Sequence, residues 1–106
     1  MFGLEKKHFD FILSVLKKYA PEAKYFVFGS RAKDNYGKYS DIDIALDFNN
    51  DIIPIEILDK IRLEFNNSTL PIEVDIVDLN AIDENFKEII KESLVEIKNP
   101  LKWEGF

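Results

Sequence analysis

The stretch GSRAKDNYGKYSDID, residues 29–43, connects a short apolar run to an alternating one and decides the fold. It begins with a small turn, Gly29-Ser30, and ends with Asp41-Ile42-Asp43. A turn without bulky side chains can present backbone N–H groups to phosphate oxygens. Acidic side chains two positions apart on a strand point to the same side. The stretch therefore predicts a phosphate cradle beside a pair of metal ligands.

Hydrophobic periodicity on either side of this stretch predicts the elements of the fold. Apolar residues spaced by three and four indicate a helix from about Leu4 to Tyr19, and strict alternation indicates a strand at 42–47. Similar patterns predict a strand at 24–28, a helix from Pro54 to about Phe65, a strand at 72–77 and a helix at 83–93. Residues 94–97 fit either a last helical turn or an edge strand. The segment after Pro100, with Trp103, is expected to be loosely held.

This order of elements predicts an α+β fold, with a small mixed β-sheet and helices packed mainly on one face. With 106 residues, the chain is expected to form a single domain over residues 1–106. We expect no second lobe that could bind another substrate.

The composition of the chain disfavours several classes of function and of binding site. The chain carries 20 acidic and 14 basic residues and a formal charge of −6, which disfavours direct binding to nucleic acid. There is no cysteine, which excludes disulfides and thiolate metal sites. The sequence shows no secretory signal and no membrane span, so we expect a cytoplasmic protein. The oligomeric state is left open, and a homo-oligomer is compatible with the sequence.

We expect a metal site formed by the side chains of Asp41 and Asp43 on one predicted strand and of Asp75 on the next. Mg²⁺ prefers carboxylate oxygens together with substrate phosphates. Asp75 lies between Val74 and Ile76, and a carboxylate among core-forming residues needs a partner such as a cation. The alternative is that these residues, with Asp47 and Asp78, form only the solvated face of a sheet.

The phosphate-binding candidates are Gly29, Ser30 and Arg31. Gly29 allows close approach of the backbone, Ser30 adds a hydroxyl donor, and Arg31 is a candidate phosphate clamp. The roles of nearby basic and aromatic residues remain open between ligand binding and loop packing: Lys33, Lys38, Tyr36 and Tyr39. The single histidine, His8, is expected to serve the surface or the packing of the first helix.

The combination of Gly29-Ser30, ten intervening residues and Asp41-Ile42-Asp43 resembles the signature of the DNA polymerase beta-type nucleotidyltransferase superfamily. Val74-Asp75-Ile76-Val77 resembles the strand that carries the third carboxylate of that fold. The small size is similar to that of the minimal nucleotidyltransferases, the MntA-like antitoxins of prokaryotes. The resemblance covers most of the chain, from the strand at Lys24 to the helix that ends near Ser93.

This resemblance implies a nucleotidyltransferase fold and an enzyme that transfers AMP from ATP. Asp41 and Asp43 would bind two Mg²⁺ ions, Asp75 would complete one metal site, and Gly29 with Ser30 would hold the β- and γ-phosphates. Related minimal proteins modify a tyrosine of a small all-helical HEPN-type toxin. The resemblance therefore implies an antitoxin whose acceptor lies on a partner protein.

Two alternatives remain at this point. The chain could neutralise its helical partner by contact alone, as a non-catalytic binding module. It could also be the catalytic subunit of a split enzyme that modifies an aminoglycoside-like molecule with a helical substrate-binding subunit. A neighbouring gene for a short helical protein with an Arg-x4–6-His motif would favour the toxin.

Overall fold

The structure is a computed structural model that describes residues 2–98. Its helices are α1 (Lys6–Tyr19), α2 (Ile55–Asn66) and α3 (Glu84–Lys91). Its strands are β1 (Lys24–Phe28), β2 (Ile42–Asp47), β3 (Val74–Asp78) and β4 (Val95–Ile97). None of the described helices has the length and apolar character needed to cross a bilayer. The predicted loose tail, with Trp103, lies outside the described residues.

The four strands form one mixed sheet in the order β3-β2-β1-β4. β1 pairs antiparallel with both β2 and β4, whereas β2 and β3 are parallel. Parallel neighbours require a crossover connection, which α2 supplies between β2 and β3. The α+β class with a mixed sheet is thus confirmed, and residues 95–97 are an edge strand rather than the end of a helix.

The larger core lies between the sheet and the two helices α1 and α2. Side chains that alternate along β2 point into it, and α1 contributes an apolar stripe at helical spacing: Ile42, Ile44, Leu46, Phe9, Ile12, Leu13 and Leu16. All of these residues are buried. This face matches the prediction, because α1 and α2 together cover it.

The opposite face of the sheet is partly covered by α3. Asp83 caps this helix by accepting a hydrogen bond from the Phe86 backbone N–H at 3.0 Å. A second apolar cluster fills the space between helix and sheet, with Phe28, Ala45, Leu79 and Ile90 at its centre. This cluster buries Ala45 of β2 completely, although it lies on the side of the strand opposite the larger core.

The predicted element boundaries are close to the observed ones. β1 and β2 have the expected limits, but α1 begins at Lys6 rather than Leu4, and β3 begins at Val74 rather than Ile72. Gly3 has a positive φ of 76°, so the chain turns before α1. Asp41 lies one residue before β2.

Asp78, at the end of β3, is a buried anchor for two loops rather than part of a solvated face. Its side chain is 4% exposed. It accepts hydrogen bonds from the backbone N–H groups of Ile53, at 2.7 Å, and Asn80, at 3.0 Å. These contacts join the entry to α2 to the turn after β3.

We expect Asp78→Ala to lower the free energy of unfolding by about 2–4 kcal/mol, because it leaves two backbone N–H groups without their charged acceptor. Urea denaturation followed by circular dichroism measures this value. Asp59→Ala, at an exposed position of α2, is the control; we expect a change within about 0.5 kcal/mol. Equal effects of the two substitutions would contradict the anchoring role.

Candidate functional site

The candidate site lies at one level of the sheet, where three neighbouring strands place Phe28, Asp43 and Asp75 side by side. Phe28 of β1 is the register partner of Asp43 in β2, and Asp43 is the partner of Asp75 in β3. Because Ile42 and Ile44 point into the core with α1 and α2, Asp43 points to the opposite face. The sheet therefore presents two carboxylates next to the turn that follows β1.

The electrostatics of Asp43 show how closely these groups approach. Burial is the largest cause that raises the pKa of its carboxyl above the ordinary value of 3.8, followed by the negative charges of Asp75 and Asp41. A hydrogen bond with the Asp75 side chain acts in the same direction. Asp43 is thus within electrostatic reach of both other predicted ligands, and its ionised form is disfavoured in the absence of a cation.

The three carboxylates are neighbours but do not form a ready-made metal cage. Within residues 2–98, no three acidic, histidine or cysteine side chains are arranged so that they could hold a metal ion. Asp41 and Asp75 are exposed and Asp43 is half-buried. The ion pairs described for residues 2–98 lie elsewhere, on α1, between α1 and α2, and on β4.

This donor set suits a hard divalent cation. It consists of oxygen ligands only, it is crowded with like charge, and it is open to solvent on two of its three members. Mg²⁺ is commonly bound by one or two carboxylates together with substrate phosphates rather than by an all-protein cage. The residues therefore fit a metal that enters with a nucleotide.

Gly29 is required at its position for two independent reasons. Its φ is 74°, a conformation that other residues seldom adopt. A Cβ at this position would lie 2.5 Å from the Asp43 Oδ2 atom. Because Gly29 has no side chain, the turn after β1 can pass directly over the Asp43 carboxylate.

Ser30 and Ser93 complete the surroundings of this turn. The Gly29 N–H donates to the Ser93 Oγ atom at 3.4 Å, and the Ser93 hydroxyl donates to the Ile90 carbonyl at 3.2 Å. The backbone carbonyl of Ser30 accepts from the N–H groups of Lys33 and Asn35. The half-buried Ser30 side chain has no hydrogen bond to another residue between 2 and 98.

The contact of Ser93 with the Gly29 turn is not predicted by the sequence. Ser93 lies just after α3, far along the chain from Gly29, and a lone serine after a helix carries no signal of its own. Only the fold brings its hydroxyl to the turn after β1.

The prediction that Arg31 clamps phosphate is wrong. Its side chain is only 1% exposed. The guanidinium donates to the backbone carbonyls of Phe2, Lys38 and Ser40 at distances between 2.8 and 3.3 Å. It also lies 4.9 Å from the centre of the Tyr36 ring. These contacts occupy the group in holding loop backbone, which leaves it unable to reach a phosphate.

The other open candidates on the loop divide into two groups. Tyr36 is a loop anchor, since its ring packs on Arg31. Tyr39 is 68% exposed, and Lys38 Nζ lies 5.5 Å above its ring. Lys33 is exposed as well. Tyr39, Lys38 and Lys33 are therefore accessible from solvent, whereas Tyr36 is occupied by an internal contact.

A groove of about 570 Å³ lies away from the candidate site, between the start of α1 and the end of α2. His8 lines it, with Lys7, Phe11, Thr69 and Leu70 among its neighbours. None of the predicted site residues borders this groove. The placement of His8 on α1 agrees with its expected role at the surface.

Comparison with known proteins gives an independent indication of the family. The family model described as "Nucleotidyltransferase domain" matches residues 10–99 of this chain. A curated relative in Haemophilus influenzae, "Probable protein adenylyltransferase MntA", is 31% identical over 101 residues. The alignment covers 93% of this chain and 86% of that relative.

The family match spans β1, β2 and β3, and therefore includes the turn at Gly29 and the row that holds Asp43 and Asp75. The matched residues extend from the first helix to the edge strand β4. The chain belongs to the nucleotidyltransferase domain family, is similar to MntA over most of its length, and is a nucleotidyltransferase.

Proposed function

We propose that this chain is a Mg²⁺-dependent adenylyltransferase that transfers AMP from ATP to a hydroxyl group on a separate protein. The observation that carries the proposal is the carboxylate of Asp43, which lies under the Gly29 turn and interacts with both Asp41 and Asp75. The Haemophilus influenzae relative is named a probable protein adenylyltransferase, which supports a protein as the acceptor.

In this proposal Asp41, Asp43 and Asp75 hold the metal. Asp41 and Asp43 would contact both of two Mg²⁺ ions, and Asp75 would complete one of the two sites. When bound, such ions neutralise the triphosphate and polarise the reacting phosphorus. The raised pKa of Asp43 supports this role, because the same crowding that disfavours three carboxylates alone favours them around cations.

The turn residues would bind the leaving group. The Gly29–Ser30 turn, with the Ser30 hydroxyl, lies directly beyond the end of β1, next to Asp43. Donors of this kind suit the β- and γ-phosphates of ATP. Holding the triphosphate there would place the α-phosphorus over the carboxylates.

The transfer itself needs one bond formed and one broken. The acceptor oxygen attacks the α-phosphorus, the bond from this phosphorus to the bridging oxygen breaks, and pyrophosphate leaves. The proton of the acceptor hydroxyl passes to the Asp75 carboxylate, which is exposed and can be approached from outside the protein. Asp75 lies on the edge strand β3.

The acceptor we propose is a tyrosine on a small all-helical partner of the HEPN type. The chain would then act as the antitoxin of a toxin–antitoxin pair and silence its partner by modification. The exposure of Asp41 and Asp75 supports an acceptor supplied by another molecule. Tyr39, two residues before Asp41 in the sequence, is highly exposed and therefore accessible to such a partner.

The test is incubation of the chain with ATP labelled at the α-phosphate, Mg²⁺ and the protein product of the neighbouring gene as candidate partner. We expect label on a tyrosine of the partner, none from γ-labelled ATP, and none when EDTA is present. Asp41→Asn and Asp43→Asn should lower transfer by about 10³-fold or more, because each removes a ligand shared by both ions.

Two outcomes would contradict the proposal and favour the alternatives. An unlabelled partner that is still inhibited by the wild type and by Asp43→Asn would indicate a non-catalytic binding module. Label on a small hydroxyl compound, dependent on the helical subunit, would indicate a split small-molecule nucleotidyltransferase.

Asp43→Asn should also raise stability in the metal-free protein in a pH-dependent way. An acid whose pKa is raised by folding destabilises the native state when it ionises. The stability advantage of the variant should therefore be absent below the ordinary pKa of 3.8 and grow as the pH rises through the raised pKa of Asp43. Thermal unfolding in EDTA across this range measures it. An advantage that shrinks with rising pH would contradict the crowding of Asp43.

Gly29→Ala should lower both stability and transfer. The left-handed backbone costs about 1–2 kcal/mol for a residue with a Cβ, and the added atom displaces the Asp43 carboxylate. The matched control is Gly37→Ala, where the Cβ would meet only Ser40 Oγ at 3.7 Å. Calorimetry and the transfer assay measure the two effects. Full activity of Gly29→Ala would contradict the close approach of turn and carboxylate.

A further inference from the structure

Arg31 is buried beside the candidate site, and it donates hydrogen bonds to the backbone of Ser40, the residue before Asp41. Its Nε and Nη2 atoms donate to the Ser40 carbonyl at 3.0 and 2.8 Å. Its Nη1 atom donates to the Phe2 carbonyl at 2.8 Å, and Nη2 also donates to the Lys38 carbonyl at 3.3 Å. One guanidinium thereby joins the N-terminal turn to the last residues of the loop before β2.

The N-terminal turn also packs against the Arg31 guanidinium through the ring of Tyr36. The Tyr36 ring stacks on the Arg31 guanidinium, and Gly3 packs directly against this ring. A Cβ on Gly3 would collide with the ring, and the φ of Gly3 is 76°. The Phe2 ring packs on Phe9 of α1, with the ring centres 6.1 Å apart. We call Phe2, Gly3, Arg31, Tyr36 and Ser40 the N-terminal latch.

The latch holds the backbone immediately before Asp41. On one side of Asp41, the Ser40 carbonyl accepts two hydrogen bonds from Arg31. On the other side, the Ile42 N–H donates to the Glu73 carbonyl at 3.0 Å. Asp41 itself is exposed and lies outside β2, so side-chain packing does not fix it. Asp43 and Asp75, in contrast, lie within paired strands.

We propose that the N-terminal latch positions Asp41 for binding of the metal and the triphosphate, with Arg31 as its positioning residue. The inference rests on the proposed function of Asp41 as a metal ligand. Residues 2–3 then affect the reaction without touching substrate, through Arg31 and Ser40. Arginine is required because its five N–H donors form a planar fork, whereas a lysine has three donors on one nitrogen and cannot bridge three separate carbonyls.

Two latch variants test this: Arg31→Lys, which removes the fork, and Gly3→Ala, which displaces Tyr36. Tyr25→Phe is the matched control, since it also removes a buried bond to a backbone carbonyl, that of Ala20, at the far end of β1. All three are compared with the wild type in two measurements. One is amide exchange by mass spectrometry, and the other is Mn²⁺ binding, measured by electron paramagnetic resonance with a non-hydrolysable ATP analogue present.

We expect both latch variants to speed amide exchange in residues 36–41 by about 10-fold or more, while β1, β2 and β3 exchange as in the wild type. The concentration of Mn²⁺ needed for half-saturation should rise about 10- to 100-fold, as it does when a residue that orients a metal ligand is lost. In the transfer assay, high Mg²⁺ should restore most of kcat. Tyr25→Phe should show none of these changes.

The outcomes separate this inference from the proposed function. Unchanged exchange in residues 36–41 would overturn the latch, whatever the activity. Faster exchange with unchanged Mn²⁺ binding would overturn the positioning of Asp41, as would an equal loss of Mn²⁺ affinity in Tyr25→Phe. A wild type that binds Mn²⁺ but labels no partner would contradict only the proposed function, since exchange and Mn²⁺ binding still measure the latch.

Discussion

The candidate site depends on one electrostatic constraint, the crowding of like charge around Asp43. Its carboxyl is partly withdrawn from water, and two further acidic side chains act on it. No fold gains stability from such an arrangement alone, because each carboxylate disfavours the ionisation of the others. The surrounding structure must therefore hold the row in place, and in the function we propose a cation that enters with the substrate would relieve the repulsion.

Two features of the fold hold the row of Asp43 and Asp75 in place. The register of β1, β2 and β3 sets Asp43 opposite Phe28 and Asp75. A slip of one residue would turn Asp43 into the core and Ile44 toward the site, so the buried side chains of β2 strongly enforce the register. The other feature is Gly29, whose missing side chain lets the turn cross the Asp43 carboxylate. The core thus specifies the site, although neither carboxylate of the row is a core residue.

Much of this arrangement could be predicted from the sequence, because the signals are local. Alternation in 42–47 predicts a strand and the side on which Asp43 lies, and glycine before serine after an apolar run predicts the turn. Arg31 and Asp78 show where such reading fails. A charged side chain is expected at the surface, and its burial here depends on backbone carbonyls and N–H groups brought from distant segments. The contact between Ser93 and Gly29 has the same origin.

We propose that divalent cations bind between Asp41, Asp43 and Asp75, with a triphosphate beside Gly29. A crystal structure with Mn²⁺ and a non-hydrolysable ATP analogue tests it most directly, because the anomalous signal of manganese locates each ion. We predict two Mn²⁺ peaks, both in contact with Asp41 and Asp43, and one of them also in contact with Asp75. We expect the β- and γ-phosphates at Gly29 and Ser30. Nucleotide and manganese bound elsewhere, such as in the groove lined by His8, with no metal at the three carboxylates, would contradict it.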